Sequence, residues 1–331
     1  MKVLFVFTGG TIGSVANDGI INTDGTRPRA LLAAYGRAHG ISFEYDVVEP
    51  YTALSENNTG DTLCALCTCV GEHKDKGYDG IVITHGTDTL QYSAAALAYA
   101  FSDISIPLCL VSANYPVGDA RSNAIPNLRG ALRFIAEVGT PGVWVPYQNA
   151  GDPTHVHYAT RLLESVAFTD RTESAFSARY GSFDGEAAFI ASSSRCALPD
   201  ALSALGAPAF SAHAPHILRV QPYPGMAYPA IGKEVRYVLH ASFHSGTVNT
   251  VSSEARRFFA EAREREIPVF LTGAARGDVY GSTQAFAALG ITPLYHIAPV
   301  AAFVKLWMLS QKHETVTAEM LQASLAGDVI L

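Results

Sequence analysis

Two short stretches concentrate groups that can do chemistry. In ITHGTDTL, from Ile83 to Leu90, a His, two Thr and an Asp surround one glycine just after the apolar run YDGIV. In FVFTGGTIGS, from Phe5 to Ser14, another apolar run breaks into Thr and Gly. Thr11 and Thr87 each offer a hydroxyl and Asp88 a carboxylate, which together make a plausible hydrolytic site. Gly9 and Gly10 let the backbone turn sharply and approach a ligand, with nearby main-chain N–H groups to stabilise an oxyanion. Simpler readings compete. Asp and Thr where Thr89 opens a helix can cap free N–H groups for about 1 kcal/mol, yet one cap needs one residue and the loop supplies three. GGTIG loosely matches a dinucleotide fingerprint, but that fingerprint needs a helix to start there. The residues that follow, SVANDGIINTDGT, are polar and glycine-punctuated like a mobile lid.

Strands must carry these loops. Val3–Phe7, Gly80–Thr84, Pro107–Ser112 and Val143–Pro146 are short, nearly continuous apolar runs, as expected of central strands covered on both faces. Helical patterns lie between them at Asp61–Lys76, Thr89–Phe101 and Asn127–Val138. The alternation predicts right-handed βαβ units and a mostly parallel sheet, with both Thr-Gly loops beyond the carboxyl ends of their strands, where open sheets bind ligands. Around Ser192–Pro215 the pattern dissolves into Ser, Ala, Pro and Gly, like a linker. A smaller alternation follows, with strands at Ile217–Gln221, Val235–His240 and Pro268–Leu271, and helices at Ser252–Arg265, Pro299–Gln311 and Thr317–Leu325. The expected fold is α/β in two domains. A larger, mostly parallel domain spans 1–191 and a linker 192–215. A smaller α/β domain spans 216–331.

The composition fits. Of 331 residues 48% are apolar and 16% charged, enough for a large core, and the net charge of −7 with no basic run argues against a nucleic-acid partner. No stretch approaches the roughly 20 apolar residues of a membrane span. The opening MKVLFVFTGG reads as a first strand, being too short for a signal-peptide core. Three of the five cysteines, Cys64, Cys67 and Cys69, crowd one predicted helix. No second pair completes a zinc set around that C-x-x-C, so they read as reduced thiols of a cytoplasmic protein. No metal or cofactor is expected.

TGGTIGS and GIVITHGTDTL resemble the two signature segments of the bacterial-type L-asparaginase family, which includes the glutaminase-asparaginases. LSENNTGDTL, Leu54–Leu63, is similar to that family's substrate loop, and VSANYPVGDARSNAIPNL, Val111–Leu128, to the strand and loop after its second signature. The resemblance implies hydrolysis of L-asparagine to L-aspartate and ammonia. Thr11 would be the nucleophile, Thr87 the second catalytic threonine, and Asp88 the partner of the substrate α-amino group. Ser55 and Glu56 would grip the substrate, with Gly10, Gly86 and Asn114 lining the site. It further implies a homodimer or homotetramer in which a neighbour completes each site, and His244-Ser245-Gly246-Thr247 is the candidate contribution. Three departures accompany the likeness. No Tyr occurs between Thr11 and Ala34, where the family has one. Arg161 stands nearest the family's Lys, with His155, His157 and Tyr158 just upstream. Asn123 replaces a common Asp. Because Arg cannot serve as a base near neutral pH, two other functions stay open: an amidase for a different amide, and a weakly active or inactive amino-acid-binding relative.

Overall fold

The computed structural model describes residues 1–10, 12, 14–17, 20–23, 28–192, 200–277 and 279–330. In chain order the first part runs β1 (Lys2–Phe7), β2 (Ser14–Asn17), β3 (Ile20–Thr23), α1 (Pro28–His39), β4 (Glu44–Val48), α2 (Gly60–His73) and β5 (Gly80–Thr84). It continues through α3 (Leu90–Ala100), β6 (Pro107–Val111), α4 (Ala124–Arg133), β7 (Gly142–Gln148), β8 (Thr154–Tyr158), β9 (Gly181–Phe183) and β10 (Ile190–Ala191). These strands, apart from the β2–β3 hairpin, form an eight-stranded sheet ordered β10-β9-β8-β7-β6-β5-β1-β4. It is parallel from β4 through β7 and antiparallel from β7 to β10. The second part contains β11 (Ile217–Val220), β12 (Tyr237–Ala241), α5 (Ser253–Glu264), β13 (Val269–Ala274), α6 (Gly281–Gln284), α7 (Phe286–Leu289), β14 (Ile291–Tyr295), α8 (Pro299–Leu309) and α9 (Ala318–Gln322). Its four strands form a wholly parallel sheet in the order β11-β12-β13-β14. The protein thus has two α/β domains, the larger N-terminal one built on a mostly parallel sheet.

The strand order explains where the two loops must meet. From β1 the chain crosses to β4 on one side, then returns through α2 to β5 on the other. The winding direction reverses at β1/β5, and such a switch point opens a crevice beyond the strand tips. Every residue of β5 and β6 is buried, as is β1 after Lys2, which is why their sequences read as unbroken apolar runs.

Other elements were less legible. β4 lies at a sheet edge with Glu44, Tyr45, Asp46 and Val47 exposed, so no apolar run marks it. The segment after the first loop, expected to be a lid and not a helix, forms the antiparallel hairpin β2–β3. Helix α4 begins at Ala124, ahead of the expected Asn127, and continues as a π-turn to Val138. Pro126 sits in its first turn, where a missing N–H breaks no helical bond. Within the stretch expected to be a linker, Leu205 and Phe210 are buried, Leu205 N donates to Tyr99 O (2.8 Å), and the Phe210 ring stacks 3.9 Å from Trp307. Cys64 belongs to this packing, its Sγ accepting from Phe210 N at 3.0 Å. No helix among the described residues is long and apolar enough to cross a membrane.

Candidate active site

The loops after β1 and β5 meet backbone to backbone. Gly10 has φ +79°, and a Cβ on it would fall 2.5 Å from Gly86 N, so only glycine allows this approach. A third loop closes the group. Gly10 N donates to Ala53 O and Ala53 N to Thr8 O, each at 3.1 Å, and a Cβ on Gly86 would lie 2.5 Å from Ser55 Oγ.

Within this junction buried Ser55 donates its Oγ to Asp88 Oδ2 at 3.4 Å. Asp88 is exposed and Thr87 half-buried, while Glu56 is exposed on the short turn Ser55–Asn57. The capping reading does not account for this loop. Thr89 is the N-cap of α3 but makes no side-chain cap. Its hydroxyl instead donates to Ser55 O at 2.9 Å, and the Asp88 carboxylate stays with Ser55 at the crevice. Thr11 lies outside the described residues; Gly10 and Ile12 on either side are buried.

The remaining candidates divide. Asn114 Nδ2 donates to Asp170 O at 2.9 Å, and Tyr147 OH reaches the same carbonyl at 3.4 Å. Ser165 Oγ donates to Thr87 O at 3.4 Å. The segment 163–172 therefore borders the crevice, and the sequence reading missed it because its residues form no motif. Arg161 ends the short turn Ala159–Arg161 that follows β8. It is fully buried, its guanidinium 3.8 Å over the Tyr158 ring, donating from Nε to Gly327 O at 2.8 Å. His155 Nε2 pairs with Arg179 at 3.0 Å. His157 is wholly buried with Nδ1 2.7 Å from Ser174 Oγ, and desolvation drives its pKa down to about 3. Asn123 Nδ2 donates to Gln148 O at 3.0 Å. Thr247 closes a turn after β12, accepting from Phe243 N at 2.8 Å. Its neighbours Ser245 and Gly246 line a cavity of about 610 Å³ with Arg276 and Tyr295 on the second sheet. Among the described residues no cluster of His, Cys, Asp or Glu is arranged to hold a metal ion.

The chain is 36% identical over 151 residues to an L-asparaginase of Thermococcus kodakarensis, covering 45% of this chain and 44% of that protein. It is 36% identical over 143 residues to a glutamyl-tRNA(Gln) amidotransferase component of Methanosarcina acetivorans, covering 41% and 33%. The match thus spans less than half the length of either relative. Solved structures are similar over nearly the whole chain. The thermostable L-asparaginase from Thermococcus kodakarensis superposes with a TM-score of 0.76 at 22% identity, covering 99% of both chains. L-asparaginase I from Vibrio cholerae gives 0.77 at 24%, covering 100% of this chain and 99% of that one. These likenesses show a shared fold. The family described as "Asparaginase, N-terminal" matches residues 2–178, more than half the chain, and this protein is a member of the asparaginase family.

Proposed function

We propose that the protein is an amidohydrolase that converts L-asparagine and water to L-aspartate and ammonia. The observation that carries this reading is the Ser55–Asp88 pair at the junction where Gly10 meets Gly86. An exposed carboxylate with a buried hydroxyl beside it suits a substrate ammonium, which puts the side-chain amide within reach of the first loop. In this reading Thr11 Oγ attacks the amide carbon, ammonia leaves with the hydroxyl proton, and an acyl-enzyme forms. Thr87 then orients the water that releases aspartate. Glu56 and Asn114 border the bound amino acid. Arg161 acts through charge and packing, since a guanidinium cannot take the threonine proton near neutral pH. No metal or cofactor enters these steps. A homodimer or homotetramer, bringing Thr247 of a neighbour to the site, and a cytoplasmic location complete the proposal.

A second reading, the same chemistry on another amide or at a low rate, is favoured by one observation: Arg161 is buried against Gly327 and Tyr158. Measuring ammonia release from asparagine, glutamine and peptide amides separates the two. Fast release from asparagine supports the first, and release from another amide supports the second. No release from any amide sinks both.

A further inference from the structure

The signature loop hides a histidine that the proposed chemistry does not use. His85 follows β5 directly, is 0% exposed, and its backbone N extends the ladder by donating to Val111 O at 2.9 Å. Its ring Nδ1 lies 2.8 Å from Gly86 O. A carbonyl only accepts, so Nδ1 carries the hydrogen. The opposite nitrogen, Nε2, lies 2.8 Å from Ser93 Oγ and 3.3 Å from Asn58 Nδ2.

The same tautomer follows from the other end of the network. The Thr89 hydroxyl hydrogen goes to Ser55 O at 2.9 Å, so toward Asn58 Thr89 Oγ1 can only accept, and Asn58 Nδ2 donates to it at 3.1 Å. That fixes the Asn58 amide with its NH₂ toward both Thr89 and His85. Nε2 must therefore be the acceptor. Hydrogen bonds run in one sense from Asn58 to Ser55 O on one side and, through the imidazole, to Gly86 O on the other. Burial also pushes His85 down, against the Gly86 bond, and so favours the neutral ring.

The consequence lies in the next peptide unit. The described chain has no cis peptide bond, and in a trans peptide C=O and N–H point in opposite directions. A Gly86 carbonyl held inward by His85 turns the Thr87 N–H outward, and no acceptor among the described residues takes that N–H. We propose that His85 is a positioning residue: as the Nδ1–H tautomer it locks the Gly86–Thr87 peptide so that Thr87 N–H faces the crevice as an oxyanion donor. The inference rests on the amidohydrolase reading for its catalytic meaning, but the lock itself does not.

Two substitutions separate positioning from packing. His85→Asn keeps an N–H donor near the Nδ1 position, whereas His85→Gln places its amide near Nε2 and releases Gly86. With asparagine, His85→Gln is expected to lose roughly 10–100-fold in kcat, part of the ~10²–10³ lost when an oxyanion donor is deleted, with KM little changed. His85→Asn is expected to retain most of the wild-type kcat. Equal losses in the two variants, or wild-type kcat in His85→Gln, would overturn the proposal. Imidazole ¹⁵N spectra of the wild-type protein at neutral pH give an independent reading. An Nε2–H or doubly protonated ring overturns the lock whether or not any amide is cleaved. The Thr87 amide resonance is expected to move in His85→Gln and to stay near its wild-type position in His85→Asn. If that pattern appears while no amide releases ammonia, the lock stands and the proposed function fails.

Discussion

Lys305 and Asp328 form an ion pair at 2.7 Å with both side chains wholly excluded from water. Tyr99 OH donates to the same carboxylate oxygen at 2.9 Å, and Lys305 Nζ also donates to Leu321 O at 3.1 Å. The pair joins α8 and the C-terminal segment to α3, the helix that begins at the loop after β5.

Removing one partner should therefore be costly. Lys305→Met leaves Asp328 buried without its cation, and breaking a buried pair typically costs about 3–5 kcal/mol. Denaturant unfolding is expected to show a loss of that size. A double variant, Lys305→Met with Asp328→Leu, should recover part of it. A single variant as stable as wild type would show that the pair contributes nothing.

Gly10→Ala tests the contact between the loops. The new Cβ would meet Gly86 N at 2.5 Å, at a φ of +79° that costs an L-residue roughly 1–2 kcal/mol. The two strand tips must separate, so asparagine turnover is expected to fall far more than the melting temperature. Comparing the variant's kcat/KM with its thermal unfolding checks this.

Asp88→Asn removes the anion proposed to meet the substrate ammonium. A hydrogen bond to a charged group contributes about 1.5–3 kcal/mol, so kcat/KM for asparagine should fall at least about tenfold. Ser55→Ala, which leaves the carboxylate in place, should fall less. Undiminished kcat/KM in Asp88→Asn would remove Asp88 from the site.

Arg161→Lys distinguishes a base position from a structural one. The buried guanidinium donates to Gly327 O and lies on Tyr158, a geometry that an ammonium cannot reproduce. The expected result is lower stability with no gain in turnover. A rise in turnover near neutral pH would instead show that Arg161 stands where a proton acceptor is needed.

His157 is expected to make the fold acid-sensitive. Its folded pKa is depressed to about 3 by burial, while in the unfolded chain it is near ~6.5. Between those values the unfolded state binds the extra proton, so stability falls as pH drops, by up to ~1.4 kcal/mol per pH unit. Urea unfolding at pH 6 and pH 4 is expected to show a shallower pH dependence in His157→Gln than in wild type. Equal slopes would remove His157 as the cause.

How much was legible depended on what each residue's neighbours in sequence reveal about its neighbours in space. β1, β5 and β6 were readable because strands buried on both faces carry almost only apolar side chains. The glycine and threonine loops at their tips were readable because their composition exceeds what a turn requires. The edge strand β4 was not, since its side chains face water on both sides and show no pattern. Nor was the start of α4, because a helix tolerates Pro126 only at a position in its first turn. By itself the sequence determined the two α/β domains, their central strands and the glycine- and threonine-rich loops at the strand tips. Only the tertiary structure decided that Gly10 touches Gly86 across 76 positions of chain, that Arg161 and His157 are buried, and which groups the two His85 ring nitrogens meet. Burial and hydrogen-bond direction are set by whichever distant segment the fold brings against a residue, and local sequence does not record that segment.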